Sequence, residues 1–124
     1  VTTRDLTPEE RAILEHLTDG DFEGSAAART QISTARHAGQ WSPGDPSFHI
    51  LTDGVCPRMD VEDGIFLPSD RPVLTESGSP NGGVMLWVRN GRIDDFEYYC
   101  YDEVDRRLPT IDQITTWEDP RVLG

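Results

Sequence analysis

The residues able to do chemistry are few and scattered. His37, His49, Cys56 and Cys100 are metal-ligand types, yet no CxxC, HxxxH or HExxH spacing ties any two together, as closed zinc sites usually show. The sequence therefore gives no reason to expect a metal. Cys56 with His49 is the only nucleophile and base pairing to be named. Asp94-Asp95 and Asp102-Glu103 offer adjacent carboxylates, but neighbouring strand residues point to opposite faces. Neither pair converges unless a bulge redirects one member. There is no GxSxG, no Walker loop and no GxGxxG after a strand, and the Gly-rich stretch SGSPNGG from Ser77 to Gly83 reads as a connection between strands. The expectation is a protein without catalytic residues or a cofactor.

What must position any site is the stretch Gly82 to Tyr101. Two runs rich in β-branched and aromatic residues flank Asn90-Gly91, a dipeptide that tolerates the positive φ angles of a type I′ hairpin turn. Strict pairing outward from that turn sets Leu86 beside Asp95 and Val84 beside Glu97, mixing core and solvent residues. One extra residue absorbed at Asp94-Asp95, a bulge opposite Trp87, instead gathers Val84, Leu86, Val88, Ile93, Phe96, Tyr98 and Cys100 on one face. The other face then carries Met85, Trp87, Glu97, Tyr99 and Tyr101. Trp87, Tyr99 and Tyr101 are aromatic anchors of the kind enriched at interfaces, and Glu97 with Asp102, Glu103 and Asp105 supplies a charged rim. The competing reading is that helices or the C-terminal segment cover this face and the acids are simply solvated.

The chain has 124 residues and a formal net charge of −12, and all 11 of its basic residues are Arg. That length suits a single domain over 1–124. The acids are spread through both halves, so the body is acidic and no separate tail is. Nucleic acid and anionic membranes are excluded as partners, because phosphate contact needs a concentrated basic surface. No apolar run reaches the length of a membrane span and VTTRDLTPEE is not a signal peptide, which points to the cytoplasm. Two distant cysteines do not make a disulfide framework and are expected to stay reduced, Cys100 as a core residue.

Thr7 as cap, Pro8 at the first position and Glu10 completing a capping box predict a helix over about Pro8 to Asp19, ended by Gly20. Ser25 is expected to cap a second, short helix through Ala28 and Ile32. Weak strand signals before SPGDP, then Ser47 to Thr52, Ile65 to Leu67 and Arg71 to Glu76, lead into the hairpin. Pro109 is expected to start a helical turn through Ile111 and Ile114, with Trp117 to Gly124 packing or fraying. The fold class is α+β, with N-terminal helices packed on one face of an antiparallel β-sheet.

LTPEERAILEHL, DFEGSAAARTQI and the GGVMLWVRNGRIDDFEYY hairpin leading to LPTIDQI resemble a family of small uncharacterised bacterial single-domain proteins. The resemblance implies the same architecture and no activity. The functional expectation is a non-enzymatic acidic binding protein that sequesters a basic protein partner, a toxin-neutralising immunity-type role. The alternative is a small enzyme or ligand-binding domain with a pocket between helix one and the sheet, His49 and Cys56 at its mouth.

Overall fold

The computed structural model describes residues 2–101 and 107–123. After the short strand β1 (Arg4–Asp5) come helices α1 (Pro8–Thr18) and α2 (Ser25–Thr34). Strands β2 (Arg36–Gln40), β3 (Phe48–Leu51), β4 (Gly64–Ile65), β5 (Arg71–Leu74), β6 (Pro80–Arg89) and β7 (Arg92–Cys100) follow, then helix α3 (Pro120–Leu123). The antiparallel sheet runs in the order β1-β2-β3-β7-β6-β4, and β5 shares the edge of β6 with β4. This is the expected α+β arrangement.

Helix α1 starts where the capping box places it. Thr7 Oγ1 accepts the Glu10 N–H at 3.1 Å and Glu10 Oε1 accepts the Thr7 N–H at 2.9 Å. Arg4 forks onto the same carboxylate, both contacts at 2.9 Å. Burial pushes the Glu10 carboxyl up, but the Arg4 fork and the Thr7 N–H outweigh it and hold the group below its ordinary value. Ile13, Leu14 and Leu17 form the buried stripe. Helix α2 begins differently from expectation. Gly24, at φ +83, is its N-cap, and the Ser25 hydroxyl turns back to accept the Phe22 N–H at 3.1 Å. Ser25 thus fixes the turn before the helix and does not cap Ala26.

The hairpin has the bulged register. Val84 pairs with Tyr98, Leu86 with Phe96, Trp87 with Asp95 and Val88 with Ile93, so Asp94 is the extra residue. Asn90 and Gly91 take φ angles of +52 and +74, as a type I′ turn requires. Val84, Leu86, Val88, Ile93, Phe96 and Tyr98 are all buried, in one cluster with Phe48, Ile50 and the apolar stripes of α1 and α2. Cys100 is half-buried and packs at that cluster's margin, its sulfur accepting from the Tyr98 hydroxyl at 3.6 Å.

The 77–83 stretch is only partly a connection. Strand β6 begins at Pro80, and Gly82, at φ +116, lies so close to β7 that a Cβ there would sit 1.9 Å from the Tyr99 carbonyl oxygen. Only glycine fits that approach. Past β7, Thr110 and not Pro109 caps the 3-10 turn Ile111–Gln113, and Trp117 stays exposed while its indole N–H donates to the Asp70 carbonyl at 3.1 Å.

Candidate functional site

The bulge decides which acids meet. Without it Asp94 and Asp95 would point to opposite faces; with Asp94 inserted, both line one cleft on the face opposite the helices. Burial, and next the neighbouring Asp95 charge, push the Asp94 carboxyl above its ordinary value, against the pull of Arg89, whose Nε lies 3.4 Å away. Asp95 organises the other side. Its Oδ1 accepts the Trp41 indole N–H at 3.0 Å and lies 2.6 Å from His49 Nδ1. The pairing of His49 with Asp95 across β3 and β7 sets that contact.

Trp87 stands at the centre of the face. Its indole N–H donates to Glu97 Oε1 at 3.0 Å, a diagonal contact along the hairpin that fixes the ring. On one side of it, Trp41, Asp63, Arg89, Asp94 and Asp95 join Trp87 around a cleft of about 420 Å³. On the other, Phe22, Val61, Ile65 and Leu67 line a shallow groove of about 910 Å³ rimmed by Glu23, Asp60 and Glu62, and Trp87 and Asp63 border both. Trp87 is half-buried, while Trp41 is 40% and Leu67 75% exposed. The helices pack on the opposite face and leave these rings in reach of solvent.

Of the residues singled out from the sequence, Trp87 and Glu97 come together as described. Tyr99 is half-buried, its phenol lying across Gly83, where an added Cβ would come within 2.4 Å of the hydroxyl. Burial, and then the nearby Asp70, Tyr101 and Glu97, push that phenol up. Tyr101 is 67% exposed, its ring 6.3 Å from that of Tyr99. Asp102, Glu103 and Asp105 lie outside the described residues. Sequence reasoning passed over Trp41, Asp63 and the apolar residues between 61 and 67. The one available signal was the alternation Phe48-His49-Ile50-Leu51, which turns His49 away from the core toward whichever acid β7 presents.

His49 and Cys56 do not share a pocket mouth. His49 faces the outer cleft, whereas the Cys56 thiol is buried behind α2, 3.7 Å from both the Thr30 carbonyl and the Thr34 hydroxyl. Between α1 and the sheet, the interstice lined by Glu10, Ile13, Leu14, Phe48, Phe96 and Leu108 has no room for a water molecule. Among the described residues no three His, Cys, Asp or Glu side chains gather as a metal site would require, and no helix is long and apolar enough to cross a membrane. No family model, no curated protein and no solved structure matches the chain.

Proposed function

We propose that the protein is a non-enzymatic binding module that sequesters a basic protein through the outer face of its hairpin, as an immunity-type protein neutralises a cationic toxin. The observation that carries this reading is the convergence of Trp41 and Trp87 with Asp63, Asp94 and Asp95 on the face opposite the helices. Fixed aromatic rings ringed by carboxylates combine desolvated anchors with a steering field, the two components of a tight interface with a cationic surface. The net charge of −12 extends that field over the whole body. A cytoplasmic setting, in which cysteines stay reduced, goes with this reading.

The test is affinity capture from the native cell extract at low and high salt, with partners identified by mass spectrometry. A basic protein that is retained at low salt by the natural chain and lost from Trp87→Ala is the expected result. Capture that ignores both salt and Trp87 would remove the outer face from the interaction.

A further inference from the structure

We propose that the cleft between Trp41 and Trp87 is a receptor for a guanidinium group, an arginine side chain presented by the partner; this deepens the binding reading above and rests on it. The walls are two indoles, each tethered through its N–H, Trp41 to Asp95 and Trp87 to Glu97, so both rings are held in place before a ligand arrives. A cation over an indole face is attracted by the ring quadrupole, and a planar guanidinium can stack there in a way an ammonium cannot.

Charge complementarity selects the occupant. Three carboxylates, Asp63, Asp94 and Asp95, line the cleft with one arginine, Arg89, while His49 meets Asp95 Oδ1 from outside that lining and leaves the other Asp95 oxygen to an incoming cation. Arg89 sits at the rim with its side chain 74% exposed and makes only a 3.4 Å contact with Asp94. An exposed pair of that length holds its partner weakly, so an incoming guanidinium can displace it and fork onto the Asp94 and Asp95 carboxylates. Burial first, and then the facing Asp95 charge, push the Asp94 carboxyl up, against the weaker pull of Arg89. The volume of about 420 Å³ admits a planar side-chain head with its stem.

The probe is N-acetyl-arginine amide, titrated into 15N-labelled protein while the three indole N–H signals are followed. The expected result is a saturable shift of the Trp41 and Trp87 signals with Trp117, bonded to Asp70 elsewhere, unmoved. N-acetyl-lysine amide should bind more weakly. Asp94→Asn, and independently Trp41→Leu at a solvent-exposed position, should each weaken the arginine response about tenfold. Equal movement of all three indoles, equal binding of the lysine amide, or unchanged affinity in both variants would overturn the assignment. Capture of a salt-sensitive basic partner by a protein whose cleft ignores arginine would overturn the cleft and leave the binding module standing. An arginine response without any basic partner would support the cleft and overturn the module.

Discussion

Gln31, fully buried on α2, accepts the Ile93 N–H at 2.9 Å through its side-chain oxygen and donates from its amide nitrogen to the Gly91 carbonyl at 2.9 Å. The same nitrogen donates to the Pro57 carbonyl at 2.8 Å. One helix side chain therefore grips the turn at Gly91 and the start of β7 at Ile93, next to the bulge that brings Asp94 and Asp95 together. Gln31→Leu keeps the volume and strands the Ile93 N–H in the core, at a cost of about 1–3 kcal/mol. The urea midpoint should fall with the m-value unchanged. An unchanged midpoint would mean that the turn does not depend on α2.

Thr7→Ala removes half of a capping box whose other half, Glu10, is also gripped by Arg4. The loss should be about 1 kcal/mol, read from urea unfolding. If Arg4→Ala abolishes the effect of Thr7→Ala in a double-mutant cycle, the fork and the cap act as one unit, since coupled contacts are non-additive.

Acidification should weaken the fold in two stages. Burial lowers His37, assisted by Arg4 and His49 and opposed by Glu10; burial likewise lowers His16, assisted by Arg71 and opposed by Asp19. A group whose folded value is depressed contributes fully above its unfolded value and loses that contribution as pH falls through the folded one. For the histidines the decline begins near pH ~6.5, and for Glu10, also depressed, below about 4.3. Asp94 has the opposite sign. Its raised value means that the ionised form is disfavoured in the fold, so Asp94→Asn should raise the melting temperature at neutral pH. Midpoints measured from pH 8 to 4 check both claims. A flat profile down to pH 5, or an Asp94→Asn variant that melts lower at pH 7, contradicts them.

Local rules made the frame readable. Thr7, Pro8 and Glu10 announce a helix start within one turn, and Asn90-Gly91 with the apolar alternation on either side forces the bulge, because every other register buries Asp95 or exposes Phe96. The cleft was only half readable, for a physical reason. Trp41 reaches Asp95 across 54 positions, and Asp63 meets the hairpin by accepting the Asn90 N–H at 2.9 Å. Neither contact leaves a period or a motif in the sequence, since each arises from how β3 and β4 dock on opposite sides of the hairpin. Ser25 shows the same limit on a smaller scale: its type signals a cap, but the left-handed Gly24 before it moves the cap by one residue.

The kinetic roles of Trp87 and Glu97 should separate in a complex with a basic partner. Trp87 is half-buried at the border of both grooves, where a partner would complete its desolvation, so Trp87→Ala should chiefly speed dissociation, by tenfold or more at about 2 kcal/mol for a hot-spot aromatic. Glu97 acts in two ways, as rim charge and as acceptor for the Trp87 N–H. Glu97→Gln keeps an oxygen to accept that bond and removes the charge. It should therefore lower the association rate and flatten its dependence on salt while leaving dissociation nearly unchanged. Glu97→Ala frees the indole as well and should show both effects. Surface-plasmon kinetics at two salt concentrations distinguish these outcomes. A Glu97→Gln variant that dissociates as fast as Trp87→Ala would mean that the charge is part of the buried contact and does not merely steer encounter.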